Sequence, residues 1–432
     1  MHDVIVIGAR VAGAATAMLL ARQGANVLAV DKAAFPSDTL STHQVQLPGI
    51  ARLEHWGLLS RIAAADTPAT RQVRFDSGGV VLAGSYPKFE NVDALYSPRR
   101  TLLDTILVEA ARESGAEVRE RFAVEEVVLK NGRVTGVRGR EPGGATVIES
   151  ALIVVGADGR HSPLAKAVGA RTYNEKAPLT FAYYTYWDGL PVEGGEMYGR
   201  DRRLIGAWPT NDGLVMTYVA GPIDEFHAFR ANLEGNLLAS LDLAGDLGER
   251  ARAATRAERI YGTANTANYF REPYGPGWAL VGDAGLAMDP VTGQGISDAF
   301  RDAELLADTI ADALDGARPL EATLRGYQRA RDQAVKPMYD FTVEIASLAP
   351  VRIEQQLVYQ ALERDPEQTE RFLGVLGGTV PLDDFFSSTN LRHLIGLRGI
   401  AKIAASRLRP HRVGLGRPTG TEAAVELHPI TN

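Results

Sequence analysis

Three glycine-rich segments contain the residues of this chain that are best suited to bind a phosphate-bearing ligand. The first lies at residues 8–13, the second at 156–159, and the third joins an acidic turn at 282–283 to a glycine pair at 293–295. Glycine lets a backbone approach a ligand closely, and a helix N-terminus offers unpaired N–H groups to a phosphate. Each pattern alone is weak, but their order along one chain predicts a site that encloses an extended dinucleotide.

The first segment lies in a predicted strand–turn–helix–strand unit. Apolar residues 4–7 predict a buried parallel strand, residues 13–24 a helix, and residues 26–30 a second strand that ends at Asp31. This order is typical of a dinucleotide-binding unit, in which the helix N-terminus faces the pyrophosphate and the acid binds a ribose. The candidate contacts are Gly8, Arg10, Val11, Ala12, Gly13, Asp31 and Lys32.

Arg10 stands where the G-x-G-x-x-G pattern has its second glycine. That glycine ordinarily lets the backbone approach the pyrophosphate. We therefore expect Arg10 to tolerate the same geometry and to place its guanidinium against phosphate or substrate. The alternative, a Gly8 that merely ends a strand in another α/β protein, is disfavoured by the position of Asp31.

The second and third segments follow the same plan. Residues 151–156 predict a buried strand before Asp158, and residues 277–281 predict one before Asp283. A long helix is predicted from Gly295 to about residue 314, preceded by Pro290 and Gly293. A helix N-terminus at the pyrimidine edge of a flavin would favour the negative charge of the reduced ring, and bare glycines would let the backbone approach it. The three segments together predict an enclosed FAD.

Two further stretches supply candidate residues near such a cofactor. Arg100 opens a helix predicted to end near residue 115, where it could approach a phosphate. Residues 35–45 predict a polar loop, of which His43 is the candidate catalytic side chain. The alternative for His43, a loop histidine bonded to the backbone, stays open. An amphipathic helix is predicted next, over residues 48–62.

An aromatic-rich middle region is predicted to face the substrate. Residues 179–187, 203–208 and 214–220 predict strands of a mainly antiparallel sheet with aromatic residues on both faces. An aromatic or otherwise apolar substrate would suit this wall, and ordinary sheet packing is the alternative for any one aromatic residue.

The C-terminal region, from about residue 335, is predicted to be helical with breaks at Pro350, 377–378 and Pro381. Its apolar and basic segment 391–403, followed by Arg407, Arg409 and Arg412, either touches a membrane surface or lipid-like substrate or caps the protein. The cap is favoured because helix breakers interrupt the segment.

Composition excludes several classes of protein. A hydrophobic content of 45% and a net charge of −7 indicate a globular protein without a nucleic-acid partner held by bulk electrostatics. The absence of cysteine excludes disulfides and thiolate chemistry, and the eight histidines show no metal-ligand spacing, so no metal site is expected. The sequence has no run of 18 apolar residues, so no integral membrane association is expected. A strand that starts almost at Met1 leaves no room for a signal peptide, which predicts a cytoplasmic protein, and abundant alanine and arginine suggest a bacterial source.

The order of these motifs resembles the para-hydroxybenzoate hydroxylase-like FAD-dependent oxidoreductase superfamily over about residues 1–340. The resemblance implies an α/β fold: a discontinuous Rossmann-type FAD-binding domain (1–75, 96–175 and 272–340), an inserted mainly antiparallel β-sheet substrate domain (76–95 and 176–271), and a C-terminal helical region (341–432). It also implies FAD contacts at Gly8, Gly13, Asp31, Arg100, Asp158, Asp283, Gly295 and Ile296, and a backbone contact of Val124 with the adenine.

Three chemistries compete within that superfamily. Flavin-dependent halogenases share a W-x-W-x-I-P segment and an active-site lysine, whereas this chain has Ala207-Trp208-Pro209 and its Lys88 has no matching context. Geranylgeranyl-reductase-type enzymes carry an aromatic-x-Trp-x-Phe-Pro segment that residues 206–209 resemble in part. Reduction of isoprenoid or polyene double bonds is therefore the alternative function. A non-catalytic binding or escort protein is disfavoured, since it would not need the bare glycines 293 and 295.

Hydroxylation of an aromatic or otherwise apolar small molecule is the favoured function. In the resembling monooxygenases, NAD(P)H reduces FAD and molecular oxygen then forms the flavin C4a-hydroperoxide that transfers one oxygen atom. No second G-x-G-x-x-G motif is present. NAD(P)H is thus expected to bind transiently, or a partner flavin reductase supplies the electrons, and the sequence leaves both open.

Overall fold

The computed structural model describes residues 1–316 and 318–407, and it confirms an α/β fold with a helical C-terminal part. Its first part alternates strands and helices: β1 (His2–Ile7), α1 (Val11–Arg22), β2 (Val27–Val30), α2 (Leu47–His55), α3 (Leu59–Ala64), β3 (Ala69–Thr70), β4 (Gln72–Asp76), β5 (Val81–Ser85), β6 (Leu95–Tyr96), α4 (Arg100–Glu113), β7 (Glu117–Arg119), β8 (Ala123–Lys130), β9 (Arg133–Arg140), β10 (Thr146–Gly156) and α5 (Pro163–Ala167).

The remainder of the described chain is rich in strands and then helical. The strands and short helices are β11 (Thr172–Lys176), β12 (Thr180–Asp188), β13 (Gly195–Arg200), β14 (Arg203–Pro209), β15 (Leu214–Pro222), α6 (Phe226–Ala231), α7 (Leu233–Leu241), α8 (Leu247–Ala253), β16 (Thr255–Arg256), β17 (Tyr261–Thr263), β18 (Asn268–Arg271), β19 (Tyr274–Gly275), β20 (Trp278–Leu280) and β21 (Leu286–Ala287). The helices that follow are α9 (Gly295–Leu314), α10 (Leu320–Ala346), α11 (Ile353–Leu362), α12 (Pro366–Leu376), α13 (Leu382–Phe385) and α14 (Ser388–Arg407).

The first large sheet is the Rossmann-type part of the fold. Its strand order is β19-β20-β10-β1-β2-β7, and the pairs from β20 to β7 are parallel. Residues 4–7 of β1 are buried on both faces, which explains their uninterrupted apolar run. Because these strands are parallel, their carboxyl ends meet at one edge of the sheet, and Gly8, Asp31 and Asp158 follow those ends.

The second large sheet is mainly antiparallel, with the strand order β16-β12-β15-β14-β13-β4-β5. The register pairs Tyr184 with Tyr218, and Tyr218 with Gly206, so alternate residues of the three central strands share a face. One face packs Phe181 and Tyr183 against helices α6–α8, while the other carries Tyr184, Tyr186, Trp208 and Tyr218. Two buried faces explain the aromatic residues on both sides of β12.

The structure differs from the sequence-based expectations for one helix and for the domain boundaries. The single helix over residues 48–62 is wrong: α2 and α3 are separate, because Gly57 adopts a φ of +74° that ends the first helix. Four proposed domain boundaries fall inside regular elements: residues 75–76 lie within β4, 95–96 within β6, 175–176 within β11 and 340–341 within α10. β4 pairs with β13 in the second sheet, so this sheet begins before residue 76.

Two breaks between the C-terminal helices lie where the glycine and proline pattern predicts: α10 and α11 are separated at Pro350, and α12 and α13 at residues 377–381. A further break, at residues 363–365 between α11 and α12, was not predicted. Leu391 and Leu394 of α14 pack on the cluster of α11 and α12, as a cap would. Arg409 and Arg412 lie outside the described residues, as does the side chain of Arg407. Within residues 1–316 and 318–407, no helix has the length and apolarity to cross a bilayer.

Candidate active site

A cavity of about 550 Å³ opens at the carboxyl edge of the first sheet. It is bordered by the ends of β1, β2 and β10, the start of α1, the loop after β2 and the start of α9. Most residues expected to bind the cofactor line it: Gly8, Arg10, Val11, Ala12, Asp31, Lys32, Arg100, Val124, Asp158, Asp283, Pro290, Gly293, Gly295 and Ile296. The structure thus brings together motifs that are almost 300 residues apart in the chain.

Gly13 does not line the cavity but supports its wall. A Cβ on Gly13 would lie 1.8 Å from the Gly8 carbonyl oxygen and 2.9 Å from the Cβ of Ala157. No side chain larger than hydrogen fits this contact. Glycine at this position therefore lets α1 approach β1 and the turn after β10, which places the helix N-terminus at the cavity.

Arg10 occupies the variant glycine position without backbone strain. Its φ of −89° and ψ of −163° are those of an extended residue, which any L-amino acid adopts. The guanidinium donates to Asp104 Oδ2 at 2.7 Å and to Ser37 Oγ at 2.9 Å, and it lies over the Phe35 ring. Arg10 therefore anchors the loop after β2 to α4, in addition to bordering the cavity.

Arg100 shares the same carboxylate. Its Nε and Nη2 each donate to Asp104 at 3.0 Å, and the Asp104 side chain is fully buried. Two guanidinium groups on one carboxylate leave a net positive charge beside the cavity. This charge, together with the uncapped N-terminus of α1, suits a pyrophosphate.

Three carboxylates provide acceptors for hydroxyl groups. Asp31 accepts the N–H groups of Ala9 and Ala33 at 2.8 Å each, which holds it rigidly at the cavity wall. Asp158 Oδ1 and Asp298 Oδ2 are buried and have no hydrogen-bond partner among the described residues. Burial raises the pKa of both Asp158 and Asp298. Buried acceptors without partners are what a ribityl or ribose chain would satisfy.

The far end of the cavity is built by the turn before α9. Gly293 has a φ of +64°, and α9 begins at Gly295 without a side-chain cap from Gln294. No atom lies within 4 Å of the place that a Cβ on Gly295 would take. This open space beside free backbone N–H groups fits a flat ring that gains negative charge on reduction.

Asp283 lies near that end and is held by Arg160. Arg160 Nε donates to Asp283 Oδ2 at 3.1 Å, and the same guanidinium donates to the Met288 carbonyl at 2.9 Å. Arg160 lines the cavity although the sequence reasoning did not select it. Its position two residues after Asp158 was the available signal. Gln44, Asp289 and Asp298 were also missed, and each adjoins a motif or loop that was recognised.

His43 is placed differently from the other candidates. It is fully buried, has a φ of 60°, and its Nε2 contacts the Tyr186 hydroxyl. Burial, followed by the charges of Arg100 and Arg99, lowers its pKa well below 6.5, so the imidazole is neutral at pH 7. Its neighbours Thr42 and Gln44 line the cavity, but His43 itself does not. The structure therefore ties His43 to the aromatic sheet face.

That face borders a second, narrow cleft beside the cavity. Trp208, Tyr218, Met197 and Leu204 line it from the sheet. Thr42, Gln44 and Pro290 line both the cleft and the cavity, so the two spaces adjoin. The loop after β2 is held here because Ser41 N donates to the Tyr184 hydroxyl at 3.4 Å.

These features fit FAD: glycine contacts at the phosphate end, unpartnered carboxylate oxygens along the middle, and an open helix N-terminus at the ring end. The model of the FAD binding domain family matches residues 1–342, and the chain belongs to this family. It is an FAD-dependent oxidoreductase of the superfamily that its motif order resembles.

Its relatives perform different reactions. Digeranylgeranylglycerophospholipid reductase 1 of Methanopyrus kandleri is 25% identical over 387 residues, 87% of this chain and 98% of the relative. Phenazine 1,6-dicarboxylic acid hydroxylase PhzS of Lysobacter antibioticus is 29% identical over 362 residues, 74% of this chain and 84% of the relative. The structure of the myxobacterial chondrochloren halogenase CndH superimposes with a TM-score of 0.74 at 23% identity, covering 92% of this chain and 97% of that chain. This last likeness shows the fold.

Proposed function

We propose that the protein is an FAD-dependent monooxygenase that hydroxylates an aromatic or otherwise apolar small molecule. The observation that carries this proposal is the buried aromatic face of the second sheet, which borders a cleft that adjoins the cavity and shares lining residues with it. When bound, FAD would accept electrons from NAD(P)H and activate molecular oxygen for transfer of one oxygen atom to the substrate. A partner flavin reductase is the alternative source of electrons.

The protein's own residues supply position, charge and exclusion of water. Asp158 and Asp298 would offer acceptors to the hydroxyl groups of bound FAD, and the α9 N-terminus at Gly295 would stabilise negative charge on its reduced ring. The apolar side chains of Trp208 and Met197 shield the cleft from bulk water. Exclusion of water favours oxygen transfer to the substrate over release of hydrogen peroxide.

The positions of the lysines in the structure disfavour halogenation. Among the described residues that line the cavity and the cleft, the sole lysine is Lys32, which follows Asp31 at the predicted ribose. Lys88, the nearest sequence candidate, lines neither space. A halogenase-type active-site lysine near the substrate therefore has no counterpart in the described chain.

Reduction of isoprenoid double bonds is the second candidate. It is favoured by the length of the match to the Methanopyrus kandleri reductase, which covers 98% of that relative. The Gly206-Ala-Trp208-Pro209 segment also resembles the reductase motif in part. The aromatic face accepts either substrate class, so an experiment must separate the two reactions.

For His43 we propose a positioning role, since its ring contacts Tyr186 and does not line the cavity. A neutral imidazole at this place would hold the Tyr186 hydroxyl and the loop that carries Thr42 and Gln44. We expect His43→Ala to lower the fraction of NAD(P)H oxidation coupled to product while leaving flavin reduction intact. Coupling equal to wild type at every pH from 6 to 9 would remove His43 from the mechanism.

The test is isotopic. The FAD-loaded protein is supplied with NADH or NADPH, ¹⁸O₂ and a panel of small aromatic compounds, and products are analysed by mass spectrometry. The proposal predicts a product that carries one ¹⁸O atom. An isoprenoid substrate that gains two hydrogen atoms under anaerobic conditions, with no ¹⁸O product from any aromatic compound, would establish the reductase instead.

A further inference from the structure

Two residues that line the narrow cleft carry buried hydrogen-bond donors without partners. Trp208 Nε1 and Tyr218 Oη have no hydrogen-bond partner among the described residues, and each side chain is only 4% exposed. Both residues line the cleft that adjoins the FAD cavity. Unpaired buried donors destabilise a folded protein, so a native structure keeps few of them. A pair in one cleft therefore indicates a bound acceptor.

The two donors are held in place by the sheet. Gly206 lies opposite Tyr218 in the register of β14 and β15, on the face that also carries Trp208. A Cβ on Gly206 would lie 2.5 Å from Cζ3 of the indole, so glycine lets the Trp208 ring lie across its own strand. The Trp208 and Tyr218 rings are 6.1 Å apart between centroids. These contacts give the donors a fixed geometry before any ligand binds.

The surroundings indicate which acceptor fits. No lysine, arginine or histidine is among the described residues that line the cleft, and the polar members other than the two donors are Thr42 and Gln44. The carboxyl group nearby belongs to Asp289, whose negative charge adds to burial in raising the pKa of Tyr218. A second anion would be repelled here. The cleft holds about 10 Å³, which admits roughly one water-sized group.

We propose that Trp208 and Tyr218 together bind a neutral oxygen acceptor, a carbonyl or phenolic hydroxyl, on an otherwise apolar aromatic substrate. The acceptor enters the cleft, and the apolar body extends from it along the aromatic face toward the flavin ring. This inference rests on the proposed function for one point only, the position of the substrate beside FAD.

The test measures binding without turnover. Equilibrium dialysis of the FAD-loaded protein gives Kd for three probes of one shape class: naphthalene, 2-acetylnaphthalene and 2-naphthoate. We expect the ketone to bind about tenfold more tightly than naphthalene, the gain of one or two net hydrogen bonds. The carboxylate is expected to bind no more tightly than naphthalene. Tyr218→Phe and Trp208→Phe should each remove the preference for the ketone.

A matched variant and a stability measurement complete the test. Tyr183→Phe removes a hydroxyl on the opposite face of the sheet and should keep the tenfold preference. Tyr218→Phe should unfold at the same temperature as wild type or higher, because the lost hydroxyl has no partner in the unliganded protein. A lower unfolding temperature would reveal a structural partner and would overturn the inference.

The inference and the proposed function can fail separately. A ketone preference that persists in either Tyr218→Phe or Trp208→Phe, tighter binding of 2-naphthoate, or no binding of any probe would overturn the inference. If the preference depends on Tyr218 but no compound acquires ¹⁸O, the acceptor subsite stands and the monooxygenase proposal fails. If ¹⁸O product forms while Tyr218→Phe leaves every Kd unchanged, the monooxygenase stands and the subsite fails.

Discussion

Gly295 begins α9 at the ring end of the cavity, with no atom within 4 Å of the place that a Cβ would occupy. We predict that Gly295→Leu stabilises the FAD-free protein and weakens FAD binding. Glycine costs a helix about 0.5–1 kcal/mol relative to a good helix former, and a first-turn position gives the lower end, about 0.5 kcal/mol. A leucine side chain would meet no neighbouring side chain at its Cβ, but it would overlap a flavin ring bound there.

The same substitution should therefore have opposite signs in two measurements. We expect FAD binding to weaken at least tenfold, which is about 1.4 kcal/mol. Since a ligand stabilises by RT ln(1 + [L]/Kd), saturating FAD should leave the variant about 0.9 kcal/mol less stable than wild type, the sum of +0.5 and −1.4. Urea unfolding monitored by circular dichroism, with and without FAD, gives both values. Isothermal titration gives Kd directly.

Gly326→Leu is the matched control. Gly326 also lies in a helix with no atom near its Cβ position, but it does not line the cavity. It should gain stability in both states and keep wild-type affinity for FAD. If Gly295→Leu bound FAD as tightly as Gly326→Leu, the flavin would not lie over the start of α9, and the placement of the ring end would be wrong.

Three further predictions concern the fold and its pH dependence. Gly13→Ala should lower the free energy of unfolding by about 1–3 kcal/mol or more, because its Cβ would meet the Gly8 carbonyl oxygen at 1.8 Å. Burial raises the pKa of Asp289 from 3.8 to about 6, so its contribution to stability is complete below pH 3.8 and is lost as the pH rises through 6. Relative to Asp289→Asn, wild type should lose about 2 kcal/mol between pH 4 and 7. Burial lowers the pKa of His43 below 6.5, so its contribution is complete above pH 6.5 and is lost as the pH falls, and His43→Gln should remove that loss.

Each of these predictions has a direct check in urea unfolding. An unchanged midpoint for Gly13→Ala, with Gly326→Ala as the control, would show that the turn relaxes. Parallel stability curves for wild type and Asp289→Asn would show that Asp289 is ionised in the folded protein at pH 5. For His43→Gln, the contradicting result is a variant that loses as much stability as wild type between pH 7 and 5.

Local patterns were enough to predict the fold and to select residues that the structure brings to one cavity. The run from β1 through α1 to Asp31 depends on neighbours in sequence, namely an apolar strand, a glycine turn and an acid after the next strand. The parallel sheet then brings Asp158 to the same edge without further information. Arg10 was expected at the cavity from its place in the glycine pattern, and the structure shows that an extended backbone lets it occupy that place.

Contacts between distant residues could not be predicted in the same way. The ring of His43 is buried by Tyr186, which is 143 residues away, and no local pattern indicates that contact. The unpartnered donors of Trp208 and Tyr218 emerge only when the sheet register and the loop after β2 are known. The break between α2 and α3 depends on the positive φ of Gly57, which amphipathic periodicity does not reveal.

The central claim, an FAD-dependent monooxygenase, is tested most directly by reducing the purified protein anaerobically with NADPH or NADH and then admitting ¹⁸O₂ with an aromatic ketone or phenol. We expect bound FAD, bleaching of the flavin by a nicotinamide nucleotide or by an added flavin reductase, and an ¹⁸O-labelled product. Full FAD content and complete reduction, followed by hydrogen peroxide alone with every ketone and phenol while an isoprenoid double bond is reduced, would contradict it.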